Sequence, residues 1–308
     1  MRHSVAMPAT PLPRHLAGSP FTVSSAEAAR VSRKRLRGRD LDRSIWGVRR
    51  ETSLPDNLRT RCRSFAVRMP ADAIFSHATA ALLMNAPLPL KLELDTSVDI
   101  AVPAPARSPH ARGIRGHSIR VLGDDVAVTD GIRHTSPART WCDLASKLSL
   151  VELVALGDFF IHWRQPLASA QQLARKSANY AGQPGMSLIR EALPLLSARS
   201  ESPPESALRV IVVQAALPRP RVNYVVVDLE TGKTVRTDLA FDEYKVLLEY
   251  QGDYHRTAKG QWRKDMTRRS RLEAEGWIVI EINADDLRDP VELVSRIESA
   301  LSRHGWHR

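Results

Sequence analysis

Apolar and polar positions alternate most clearly between Val222 and Tyr250. VNYVVVDLETGKTVRTDLAF reads as two strands joined by a turn at Glu230–Lys233, and YKVLLEY reads as a third. A period of two, broken by Gly and Asp, is the mark of half-buried strands. Asp242-Glu243 then has the length of a two-residue hairpin loop. The flanking period is helical. PPESALRVIVVQAAL starts with prolines and carries Glu205 in its first turn, and AKGQWRKDMTRRSRLEAEG runs on to Gly276, a residue suited to end a helix. WIVIEI is a fourth strand, and VELVSRIESAL, entered through Pro290, is a closing helix. The predicted order is α-β-β-β-α-β-α, an α+β core.

Upstream the pattern is less regular. Ser24 and Glu27 have capping-box spacing and predict a helix running to Val31. SRKRLRGRDL predicts a second helix carrying Arg33, Lys34, Arg35, Arg37 and Arg39, followed by a strand or wing at Ile45–Arg50. Helix, turn, basic helix and wing predict a small winged helix-turn-helix. IFSHATAALLMN predicts an apolar helix, HSIRVLGDDVAVTDGIRHTS short strands, and SPARTWCDLASKLSLVELVALGDFFIHW two helices with Ser136-Pro137 at their start. His77, His117, His134 and His162 are scattered and read as structural or surface histidines rather than ligands. Five segments result: a leader over 1–20, the winged region over 21–65, a mixed α/β region over 66–165, a helical linker over 166–202 ending in the Pro/Ser hinge SARSESPPE, and the C-terminal domain over 203–303.

Charge adds a partner. The 308 residues carry 45 Lys and Arg against 34 Asp and Glu, a net charge of +11. With the arginines clustered, this excess favours a polyanion, double-stranded DNA first, over a charge that serves solubility alone. Two distant cysteines, Cys62 and Cys142, make neither a disulfide framework nor a metal spacing, and point to the cytoplasm. No apolar run reaches the roughly 18 residues of a membrane span.

Register then supplies chemistry. If Phe241 and Tyr244 flank a two-residue turn, Asp238 lies opposite Leu247 and Arg236 opposite Glu249. Asp238, Glu249 and Gln251 then share one face of the sheet. Two carboxylates that close invite a cation or a shared proton. Mg²⁺ takes oxygen ligands of this kind. The plainer alternative is an ion pair between Glu249 and Arg236, with Asp238 as a strand-end residue.

The string DLAFDEYKVLLEYQGDYHR, followed by QWRKDMTRRSRLEAEGWIVIEINADDL, resembles the PD-(D/E)XK nuclease superfamily, and within it the very-short-patch-repair-like endonuclease domains of an uncharacterised bacterial group. The resemblance covers about Pro203 to Leu301. It implies a restriction-endonuclease-like core, DNA as substrate, and Mg²⁺ or Mn²⁺ held by Asp238 and Glu249. It also implies a supporting role for Glu205, Gln251 where many members carry a catalytic lysine, and an active-site histidine at His255. Asp265 and Arg268 match an Asp-x-x-Arg on the following helix, and Lys264 and Arg268 join Arg33, Lys34, Arg35 and Arg37 as nucleic-acid contacts. Glutamine can orient a water but brings no charge. The N-terminal half resembles, at the level of pattern, the AbiEi-type antitoxins, which implies promoter binding and a cognate toxin. Two readings follow: a metal-dependent endonuclease of defence or repair type, or an antitoxin-like regulator whose nuclease fold is catalytically impaired.

Overall fold

The computed structural model describes residues 10–227, 232, 234–252 and 259–308, the side chains of 259–266 excepted. The chain divides into two compact units. One runs to Ser136 without Ala86–Pro89; the other takes Ala86–Pro89 and Pro137–Arg308.

In the first unit, strand β1 (Phe21–Thr22) leads into helix α1 (Val23–Ala28). Thr22, not Ser24, caps it, its Oγ1 accepting from the Ser25 N–H at 3.0 Å. The helix stops short of Val31, at Arg30, whose φ of +59° breaks the helical path. The predicted basic helix is a single 3₁₀ turn, Arg35–Arg37. Arg35 folds back onto Asp40 through two bonds of 3.0 and 2.6 Å, and Gly38 follows directly, so the segment closes as a loop. Strands β2 (Leu41–Asp42) and β3 (Val48–Glu51) complete an antiparallel sheet in the order β1-β3-β2.

Helix α2 (Leu58–Ala66), capped by Asn57, precedes a five-stranded sheet. Strand β4 (Ile74–Phe75) is followed by α3 (His77–Leu83) and α4 (Leu90–Glu93), then by β5 (Val98–Pro103), β6 (Ile114–Ile119), β7 (Val126–Thr129) and β8 (Ile132–Thr135). The spatial order is β6-β5-β4-β8-β7. Cys62, Phe65, Phe75, Leu83, Val98 and Ile100 fill the core beneath it.

The second unit opens with α5 (Pro137–Leu144), α6 (Leu150–Phe160), α7 (Ala170–Ala178) and α8 (Met186–Ala192). Leu173 and Ile189 are fully buried, so the stretch expected as a linker carries core helices. Helix α9 (Pro203–Gln214) packs on α6 through Asp158, which accepts from Ser206 Oγ and the Ser197 N–H, each at 2.6 Å, and pairs with Arg209. Burial raises Asp158 above the ordinary carboxylate range, and the Arg209 charge opposes the rise. The boundary expected at Pro203 therefore falls inside this unit.

Strands β9 (Arg221–Val227), β10 (Thr234–Phe241) and β11 (Val246–Tyr250) run antiparallel, and β12 (Ile278–Ile282) adds parallel to β11 after helix α10 (Lys259–Ala274). Short α11 (Ala284–Arg288) and α12 (Pro290–Arg303) finish the chain. The predicted order stands, with α11 inserted. Leu208, Leu239, Leu248, Ile280, Leu293 and Ile297 build the core on the α9–α12 side. Ala240, Leu247 and Val279 meet Leu272 of α10 on the other.

The hairpin loop differs from the predicted one. Phe241 pairs with Val246, so the connection has four residues, a 3₁₀ turn ending in Lys245 at φ +47°. Tyr244 packs against the core from within the turn instead of opening the strand. The register moves by two, which brings Asp238 opposite Glu249 and leaves each side chain on its predicted face. Among the described residues, no helix is long and apolar enough to cross a membrane. Cys62 and Cys142 are both buried, and neither is in a disulfide.

Candidate active site

The site begins where β10 and β11 stop pairing as a regular ladder. Leu239–Leu248 is the last paired position, and one residue further Asp238 uses its side chain: Oδ2 accepts the Tyr250 N–H at 2.7 Å. This bond fixes the carboxylate against the neighbouring strand and satisfies a backbone donor. Beyond it, the Gln251 N–H donates to the Ile282 carbonyl at 2.7 Å, so β12 holds the end of β11.

Asp238, Glu249, Gln251, Arg268, Arg269 and Glu281 line one cleft on the α10 side of the sheet. Arg268 ion-pairs with Glu249. Arg236, the partner of Glu249 in the plainer alternative, pairs instead with Glu201. Arg269 is occupied by Glu273 at 2.8 Å and Glu281 at 3.3 Å. Arg268 stands one turn before the buried Leu272, and side chains four apart share a helix face. That spacing is the sequence signal that the arginine points toward the sheet.

Glu205 is buried and closes its own helix: it accepts from Ser202 Oγ at 2.9 Å and from the Glu201 N–H at 2.9 Å. It does not line the cleft, yet its charge reaches Asp238. Burial pushes the Asp238 carboxyl up to about 6, helped by the charges of Glu205 and Glu249, while the Tyr250 N–H and Arg268 pull the other way. Arg236, Arg268 and Arg269 line the same cleft as Asp238, Glu249 and Glu281, and Glu205 adds negative charge from outside it. The hard oxygen donors of Asp238 and Glu249, side by side on adjacent strands, fit Mg²⁺ or Mn²⁺.

His255 and the side chains of Lys264 and Asp265 lie outside the described residues. Of the N-terminal basic residues, Arg33, Lys34 and Arg37 are exposed. Arg33 also reaches Glu27 at 3.0 Å, and Arg35 is paired with Asp40. Sequence reasoning passed over Trp46, which is 82% exposed between β2 and β3 with the Arg68 guanidinium 4.6 Å from its ring centre. It also passed over the convergence of His77, Asp99 and His117 in the first unit.

No model of a known protein family matches the chain. Two curated relatives, the uncharacterised proteins MT2308 and Rv2248 from two strains of Mycobacterium tuberculosis, are each 28% identical over 170 residues. The match takes in 55% of this chain and 62% of theirs, so the chain spans less than two thirds of the relatives' length. Among solved structures, the catalytic domain of the homing endonuclease I-Bth0305I matches with 21% identity and a TM-score of 0.28. That match covers 33% of this chain and 97% of the domain.

Proposed function

We propose that the αβββαβα core is a Mg²⁺- or Mn²⁺-dependent endonuclease-like domain that hydrolyses phosphodiester bonds in double-stranded DNA. The observation that carries this reading is the shared face of Asp238, Glu249 and Gln251 beneath Arg268. A divalent ion bound by Asp238 and Glu249 would supply Lewis acidity toward a phosphate and its attacking water. Gln251 orients a water by hydrogen bonds without charging it. Arg268 brings the positive charge that lysine gives related sites, and its forked donors suit phosphate oxygens. Glu205 adds negative potential from the helix start, and His255 serves as a proton carrier. Arg33, Lys34, Arg37 and Trp46 with Arg68 present a basic, aromatic surface for the DNA backbone.

The test is plasmid nicking with Mg²⁺ or Mn²⁺. Wild type is expected to nick, and Asp238→Ala and Glu249→Ala to lose the activity by at least 100-fold. Equal residual nicking in all three would remove the assignment.

A second reading rests on Gln251 and on the Glu249–Arg268 pair: an antitoxin-like regulator with an impaired nuclease fold, acting with a cognate toxin. It expects tight gel shifts on the chain's own upstream DNA against a scrambled duplex, and no metal-dependent cleavage. The endonuclease reading expects cleavage with weaker sequence preference.

A further inference from the structure

The first unit carries a second cluster that the nuclease reading does not use. His77 stands at the start of α3, Asp99 near the start of β5 and His117 in β6. One potential ligand atom from each lies within 4.8 Å of the others. Sheet pairing forces part of this arrangement. Asp99 pairs with Arg115 and Ala101 with His117 on the adjacent parallel strand, while the Ser76 N–H donates to the Asp99 carbonyl at 3.0 Å and brings the α3 start alongside.

Three observations give the cluster the character of a ligand site. His77 holds φ +49° at the first position of a helix, a left-handed conformation uncommon for a residue with a Cβ, and such strain concentrates at functional positions. The His77 and His117 rings stack with centroids 3.8 Å apart, bringing two cation-binding groups together. Supporting bonds also fix the donors. Ser76 Oγ lies 3.0 Å from His77 Nδ1, Thr79 Oγ1 accepts from the Asp99 N–H at 2.8 Å, and Arg115 grips both Asp99 oxygens at 2.9 Å. Partners of this kind orient first ligands and select their protonation state.

Charge favours a cation. Asp95 and Asp99 surround the single guanidinium of Arg115, two negative charges against one positive. His117 Nε2 and Asp99 Oδ1 are 3.0 Å apart, close to the roughly 3.3 Å that separates two ligands of one tetrahedral ion with bonds of about 2.0–2.1 Å. The rings are half-buried and the carboxylate is buried, which leaves an approach from solvent on the histidine side. The stacked rings must turn for their lone pairs to converge on one ion.

We propose that His77, Asp99 and His117 form a binding site for a zinc-class divalent ion, separate from the Asp238–Glu249 site and selected by imidazole donors that Mg²⁺ does not favour.

The experiment is titration of the full-length, chelator-treated chain with Zn²⁺ and Co²⁺, read by calorimetry and by cobalt absorption. The proposal expects one ion per chain held through imidazole at micromolar affinity or better, beyond any ion at the carboxylate pair, and a raised melting temperature. His77→Asn and His117→Asn are each expected to weaken binding by at least 30-fold. The double variant Asp238→Asn/Glu249→Gln should leave it unchanged, which separates failure here from failure of the nuclease reading. Zinc-edge absorption of the wild-type chain should show two imidazole ligands, a reading that does not depend on the variants folding. No binding below about 100 µM, a spectrum without imidazole, or folded histidine variants that bind as tightly as wild type would each overturn the site.

Discussion

Asp238 is the residue on which the account turns, and its ionisation can be followed without DNA. Its carboxyl is raised to about 6, so the folded chain holds the proton more tightly than the unfolded chain, where the value is about 3.8. The ionised form therefore costs folding stability above pH 6, and the cost fades as pH falls toward 4. Asp238→Asn, which can still accept the Tyr250 N–H, should melt several degrees higher than wild type at pH 7.5 and at the same temperature near pH 4. A difference that does not change with pH would contradict this. Arg268 is testable in the same cleft. Arg268→Ala should lower nicking by at least 10-fold, and Arg268→Lys should restore part of it, because charge rather than packing is the proposed contribution. Period-two alternation, with an assumed turn whose length had the right parity, made Asp238, Glu249 and Gln251 legible as one face. The Tyr250 bond, the Arg268 partner and the histidine cluster were not legible, because each depends on contacts between residues far apart in sequence.

At the scale of elements, the periodic segments were read correctly, and so were the short strands β6, β7 and β8, whereas the basic segment around Arg35 and the turn at Asp242–Lys245 were not. Strands β9 to β12 and helices α9, α10 and α12 follow from alternation, proline entry and the glycine at the end of α10. The four-residue turn at Asp242–Lys245 was missed because a non-glycine residue adopts the left-handed conformation there, and Tyr244 joins the core from the turn. The basic segment failed as a helix because Arg35 pairs with Asp40 and shortens it to one turn. Gly276 tests the reading of α10. It has φ +83°, and an added Cβ would meet only the Lys245 side chain, at 3.8 Å or beyond. Gly276→Ala should then cost about 1 kcal/mol through backbone conformation alone, seen as a lower denaturant midpoint with an unchanged slope. A neutral result would show that the α10 terminus is not held in that conformation.

At the scale of the whole molecule, the second unit has its own test. Asp158 on α6 holds Ser206 and Arg209 of α9, and Arg209 is buried. Cutting at Pro203 strips that partner from a buried guanidinium, which is strongly destabilising. A fragment of residues 137–308 should melt cooperatively and one of residues 203–308 should not; a cooperative transition in the shorter fragment would restore the boundary at the Pro/Ser hinge. The positive balance of the chain predicts salt-sensitive DNA affinity, with roughly a 40-fold loss between 50 and 200 mM salt for three neutralised phosphates. The direct measurement of the central claim is anomalous scattering from crystals of the full chain soaked in Mn²⁺, with nicking assayed on the same preparation. A manganese peak is expected within bonding distance of both Asp238 and Glu249, in protein that nicks DNA. Manganese absent from that pair in protein that nonetheless nicks DNA would contradict it.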